Sequence, residues 1–128
     1  MTTLRKLPRG SMRAWAIGHL KTQQGGVCLL CNKPISLQVM GNKSDHVVDH
    51  NHETGEIRGV LHRSCNSSEG KVANAAGRWG AKSMQYSDII PFLENLIAYL
   101  KRPGVGLLYA DHKTVEEKAA ITKQKANR

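Results

Sequence analysis

Four consecutive residues, Asp49-His50-Asn51-His52, place two imidazoles and a carboxylate in one short stretch. Histidine is the side chain that exchanges a proton near neutral pH. Asp49 and, further along, Asn66 offer hard oxygen donors of the kind Mg²⁺ accepts, an ion that keeps several waters and takes few protein ligands. A base, a cation and ligands for that cation are what the hydrolysis of a phosphodiester requires. Successive strand residues point to opposite faces, so Asp49 and His50 can share a site only where the strand ends or distorts, or where the backbone turns one of them.

A second set of residues brackets the first. Cys28-x-x-Cys31 and His62-x-x-Cys65 are two pairs with the same spacing, separated by thirty residues. Structural zinc takes four soft or borderline donors in a tetrahedron, and two such pairs supply them. An odd cysteine count with a Cys-x-x-Cys pair argues for a metal site in a reducing compartment over a secreted disulfide framework. His62 is the exposed assumption in this set, since His46 or a water are the other candidates for the fourth position. With four protein ligands no position is left for a substrate, so the expected zinc, one per chain, is structural.

The elements that must carry these residues follow from pattern. The segment 11–24 predicts a helix capped by Ser11, with Met12, Trp15, Ala16 and Leu20 on one face. Residues 27–34 predict a zinc knuckle, and 36–45, with Gly41-Asn42, a loop. His46–His50 and Ile57–Leu61 predict two short strands of a hairpin, joined by a turn in which Gly55 takes positive φ. A helix is expected from His62 to about Ala76, a loop over 77–83, and a helix from Asp88 to Arg102 capped by Ser87, with Pro91 tolerated in its first turn. Ile89, Phe92, Leu93, Leu96, Ile97 and Leu100 form its apolar stripe, fit for core or for a dimer interface. The tail from Asp111 is charged and partly helix-prone. The expected segments are therefore a basic arm and N-terminal helix over 1–26, a zinc-stapled core over 27–76, a loop and amphipathic helix over 77–103, and a basic tail over 104–128.

Composition sets the class of partner. The 128 residues carry 19 Lys and Arg against 10 Asp and Glu, a net +9. Residues 1–27 hold five basic and no acidic residues, 28–70 four and five, and 71–128 ten and five. A near-neutral centre with cationic flanks suits a polyanion that rests on the flanks. Six aromatic residues promise a thin core, which a metal or a second copy would support. No apolar run reaches the length of a membrane span, and the N-terminus lacks the apolar stretch of a signal peptide. The expected location is cytoplasmic, with no membrane partner.

The run VVDHNHETGEIRGVLHRSCNSSEGK resembles the ββα-metal motif (His-Me finger, HNH-type), and within it the phage recombination endonuclease VII family. That family shows a Cys-x-x-Cys, an Asp-His-x-His, a Thr-Gly-x-x-Arg-Gly-Leu-Leu turn and strand, a second Cys-x-x-Cys, then Asn and Glu-Gly. The likeness continues through IIPFLENLIAYLKRP and covers residues 25–103. It implies a small α+β fold, mostly helical, with a ββα-metal hairpin stapled by zinc. It also implies a Mg²⁺-dependent DNA endonuclease for which Mn²⁺ substitutes, acting on branched DNA such as a four-way junction, as a homodimer, in a bacterial host's cytoplasm. By the same likeness His50 is the general base, Asp49 and Asn66 hold the catalytic metal, His52 orients or contacts phosphate, and Glu69 is an acidic residue of the site. Cys28, Cys31 and Cys65 match zinc ligands. His62 departs from the family, which has cysteine there, and the tail past residue 103 does not match the family's C-terminal region.

Each assignment has a plainer counterpart. His52 can be hairpin packing, and Glu69 a carboxylate favoured by the helix dipole. Arg58, Arg63 and Lys71 are the candidate DNA contacts, while Arg58 and Arg63 can equally cover the hairpin with their stems. The competing functions are an HNH-type nicking or homing nuclease on duplex DNA and a non-catalytic zinc-stapled DNA-binding module.

Overall fold

The computed structural model describes residues 3–40 and 43–127. The chain divides into two compact units at Asn95 and Leu96. In the first, a 3₁₀ turn (Arg9–Ser11) leads into α1 (Met12–Gln23), followed by the short pair β1 (Val39–Met40) and β2 (Lys43–Ser44). The hairpin β3 (His46–His50) and β4 (Ile57–His62) comes next, then α2 (Arg63–Ala75), a π-helical stretch (Ala76–Ala81) and the start of α3 (Tyr86–Lys101). The fold is thus small α+β, as the sequence predicts.

α1 buries Ala16 and Leu20, with Trp15 half-covered, against Cys28, Ile35, Val60 and Leu61. The core therefore lies between α1, the knuckle and β4. Ser11 precedes α1 but makes no side-chain cap; the 3₁₀ turn already presents helical backbone there, so the first amides need no side-chain acceptor to start the helix. At the other end Gln24 is buried and ties α1 to the hairpin. Its Nε2 donates to the carbonyls of Val27 and Val60, both at 2.9 Å, and its Oε1 accepts from the Val60 N–H at 2.9 Å. The outer edge of β4 is thereby closed by a side chain where a third strand would otherwise sit. A Cβ on Gly59 would come within 2.8 Å of Leu29 Cδ1 and 3.3 Å of Gln24 Oε1, so a larger residue there would have to push the Leu29 side chain aside and would crowd the clamp.

Three expectations shift. The predicted loop 36–45 contains the β1–β2 pair, while its Gly41-Asn42 lies outside the described residues. The predicted loop 77–83 is helical through Ala81, because Gly77 and Gly80 let side chains of the following segment approach closely: a Cβ on Gly80 would collide with the Phe92 ring. α3 begins at Tyr86, so Ser87 is inside it and does not cap it. Of the predicted stripe on α3, Ile89 is buried and Leu93 half-buried, while Leu96, Ile97 and Leu100 are 38, 54 and 72 % exposed.

In the second unit the predicted helix-prone tail forms α4 (Val115–Ala126). Thr114 caps it by accepting from the Glu117 N–H at 3.1 Å, and Glu116 and Glu117 in the first turn and Lys123 and Lys125 in the last complement the helix dipole. Among the described residues no helix is long and apolar enough to cross a membrane.

Candidate active site

The knuckle forms first, by local bonds. Cys28 N–H donates to Lys33 O and Asn32 N–H to Cys28 O, with Asn32 at φ 61° making the tight turn. The second pair is set by an element junction: His62 ends β4 and precedes α2, and Cys65 sits in the first turn of α2. Donor atoms of Cys28, Cys31, His62 and Cys65 all lie within 4.8 Å of one another, a group that could hold a zinc ion. His62 Nδ1 faces the sulfurs, 3.2 Å from Cys31 Sγ and 3.9 Å from Cys65 Sγ. Its Nε2 lies 2.9 Å from the Pro34 carbonyl. A carbonyl only accepts, so Nε2 carries a proton; when the ring is neutral its Nδ1 lone pair then faces the sulfurs, the arrangement a ligating histidine adopts. His46 is not in the group; it is buried, and its Nδ1 has no partner among the described residues.

The groups of this cluster shift in opposite directions. Burial pushes the Cys28 thiol up, but hydrogen bonding at the Cys31, His62 and Leu30 backbone and at the His62 side chain outweighs it, bringing Cys28 down to about 6. Cys65 is pushed up to about 11, by burial first and then by the Cys31 and Cys28 sulfurs. Three sulfur groups crowded together cannot all be anionic without a cation among them.

The hairpin carries the second cluster. Pairing runs in register from His46↔His62 to Asp49↔Gly59 and then jumps to His50↔Ile57. Arg58 is therefore an extra residue on β4 with no partner across, a β-bulge, which re-aims side chains beside it. The distortion that the sequence required near Asp49 and His50 is present, on the opposite strand. Asp49 stays buried and His50 exposed. His52, just beyond the strand, joins the two: its donor atom lies with those of Asp49 and Glu69 in a group within 4.8 Å, and its ring centroid is 4.9 Å from that of His50. The turn that makes this possible is held by Asn51 Oδ1, which accepts from the Glu53 and Thr54 N–H groups, and by Gly55 at φ 80°.

Glu69 reaches the group from α2. Asn66 is half-buried on the same helix, one turn before Glu69, hence on the same face. Two carboxylates and an imidazole form a donor set of the hard and borderline type that divalent cations take, and Asn66 stands on the helix face that bears Glu69. His50 lines a cavity of about 680 Å³ with Arg5, Lys6 and Met12 among its other walls.

Arg58 takes a position that neither sequence reading anticipated. Its Nε donates to Asp49 Oδ2 at 2.7 Å and its Nη2 to Asp49 Oδ1 at 3.1 Å. Nη2 also lies 3.3 Å from Glu69 Oε1. Hydrogen bonding to Asp49 raises the guanidinium further above its ordinary range. Arg63 donates to the Ser44 carbonyl at 3.2 Å and is exposed, as is Lys71.

Sequence reasoning missed Tyr86 and Glu53. Glu53 Oε1 accepts from the Tyr86 N–H at 2.7 Å, and Tyr86 Oη accepts from the His52 N–H at 3.3 Å. The Arg58 guanidinium lies 5.8 Å from the Tyr86 ring centroid. The first residue of α3 is thus fastened to the hairpin turn. No spacing rule links residues so far apart in the chain.

A zinc-compatible cluster joins the knuckle to the helix that bears Asn66 and Glu69, and a second donor cluster lies on the hairpin between the two cysteine-bearing segments. The sequence model for recombination endonuclease VII matches residues 5–102, a span that contains both clusters, and the chain accordingly belongs to the recombination endonuclease VII family of DNA endonucleases.

Proposed function

We propose that the protein is a divalent-cation-dependent endonuclease that hydrolyses phosphodiester bonds in branched or distorted DNA. The observation that carries this reading is the grouping of Asp49, His52 and Glu69 donor atoms beside the exposed His50 ring. His50 is the general base: an exposed imidazole can take a proton from water near neutral pH. Asp49 and Asn66 hold Mg²⁺, or Mn²⁺ in its place, with Glu69 beside them. Such a cation, when bound, polarises the scissile phosphate and stabilises the leaving oxygen. His52 orients the phosphate or completes the donor set. Zinc on Cys28, Cys31, His62 and Cys65 is structural and keeps α2 against the hairpin.

The cationic segments on either side of the hairpin supply non-specific affinity for the DNA backbone, with Arg63 and Lys71 as exposed contacts. The exposed apolar residues Leu96, Ile97 and Leu100 on α3 support a homodimer, which would bring two sites to two strands. Three free cysteines suit a reducing cytoplasm, that of a bacterial host for a phage enzyme.

The deciding experiment incubates wild type and His50→Ala with supercoiled plasmid, linear duplex and a synthetic four-way junction, with Mg²⁺ or with EDTA. Cleavage by the wild type, abolished by EDTA and by His50→Ala and fastest on the junction, is expected. No cleavage of any substrate sinks the enzyme reading, and full activity in His50→Ala sinks the assigned base.

A further inference from the structure

Arg58 is the bulged residue of β4, and its guanidinium is spread across both carboxylates of the hairpin cluster, Asp49 at 2.7 and 3.1 Å and Glu69 at 3.3 Å. In an unbroken ladder residues 49 and 58 would point to opposite faces of the ribbon. The bulge is what turns Arg58 onto Asp49. The contact with Asp49 is bidentate, the geometry in which arginine binds a carboxylate best. The Tyr86 ring, 5.8 Å from the guanidinium, backs it. The Asp49 side chain is only 8 % exposed, and that of Glu69 21 %, so without a neighbouring cation the two carboxylates would repel each other out of water.

A divalent cation seeks the same oxygens. It would sit beside a fixed positive charge unless the guanidinium gives way. We propose that Arg58 is the resident counter-ion of this site: it holds Asp49 and Glu69 together in the metal-free protein, and a divalent cation binds there only by displacing it. This rests on the reading of Asp49 as a ligand of the catalytic cation. The consequence is a site kept ordered and charge-balanced before loading, at the expense of affinity for the free ion.

The test is Mn²⁺ binding to the zinc-loaded protein in the absence of DNA, followed by the electron paramagnetic resonance signal of free Mn²⁺. Wild type, Arg58→Lys and Arg58→Gln are titrated, and thermal melting is recorded with and without Mn²⁺. Arg58→Gln is expected to bind Mn²⁺ about tenfold more tightly than wild type. That is the size of the screened repulsion between a unit charge and a divalent ion about 6 Å apart in water. Arg58→Gln should also melt lower than wild type without Mn²⁺ and regain more on its addition. Arg58→Lys, which keeps the charge, should bind as wild type does. Equal or weaker Mn²⁺ binding by a folded Arg58→Gln overturns the proposal. If the wild type nonetheless cleaves DNA with Mn²⁺, the endonuclease reading survives that failure. If neither protein binds Mn²⁺ and neither cuts, both fall together.

Discussion

Gln24→Met removes an amide on which the core depends while keeping a side chain of similar length. The amide makes three bonds of 2.9 Å, two to Val60 and one to Val27. Val60 is fully buried, so neither its N–H nor its C=O gains water when the amide is gone, whereas the half-buried Val27 carbonyl can be hydrated. Two orphaned groups remain, each costing about 1–3 kcal/mol. Allowing for the better apolar fit of the thioether, the net loss is about 2–4 kcal/mol, a large share of the roughly 5–15 kcal/mol that holds a domain folded. The melting midpoint should fall by about 10 °C for a chain of this size. The assay is thermal unfolding by circular dichroism at fixed pH with zinc in constant excess, because metal linkage otherwise moves the midpoint. Gln24→Glu serves as a second variant: it keeps the acceptor for Val60 N–H but aims a carboxylate at two carbonyls, and should melt below the methionine variant. A Gln24→Met protein within about 2 °C of wild type, or a glutamate variant more stable than it, would show that this edge of β4 does not need its clamp.

His62→Ala should lose its zinc, since Nδ1 is the only non-sulfur donor of the group, while His62→Cys should retain it; elemental analysis decides, and undiminished zinc in His62→Ala would remove His62 from the ligand set. Protons compete with zinc for the thiolates. Cys28 titrates at about 6 without metal, so its anion is present above that pH and lost as pH falls through it, and zinc should pass to a chelator progressively faster from pH 7 toward pH 5. A transfer rate flat across that window would contradict the assignment. Tyr86→Phe keeps the ring beside Arg58 but deletes the acceptor of the His52 N–H, a bond worth about 0.5–1.5 kcal/mol. Amide exchange at His52 should quicken and junction cleavage slow by up to about tenfold, and an unchanged His52 exchange rate would show that the bond does not hold the turn.

Much of the site was legible because its chemistry is written in short spacings. The two ligand pairs, the Asp49–His52 run and the turn glycine Gly55 each announce themselves within a few residues. The hairpin followed from the β-branched residues on either side of that turn. What stayed hidden depends on contacts distant in sequence. Gln24 reads as an ordinary polar residue at a helix end, yet it closes the edge of β4. Ser11 and Ser87 carry capping chemistry, but neighbouring helical backbone made caps unnecessary. The segment 77–81 reads as a loop on its glycines, whereas those glycines are there to admit Phe92 and Met84 against a helix. Arg58 reads as a DNA contact or as a stem covering the hairpin, and only the count of residues between two paired positions reveals that its guanidinium reaches Asp49.

That count has a consequence of its own. The ladder reaches Gly59 opposite Asp49 and Ile57 opposite His50, with one residue to spare. The hairpin's arrangement is therefore encoded in its length as well as in its residue types. Loss of the single codon for Arg58 would leave every candidate ligand in the chain, restore an unbroken ladder, and remove the cation between Asp49 and Glu69. Among natural variants, a one-residue gap at this point would mark a hairpin wired differently, even where each histidine, aspartate and cysteine is still in place.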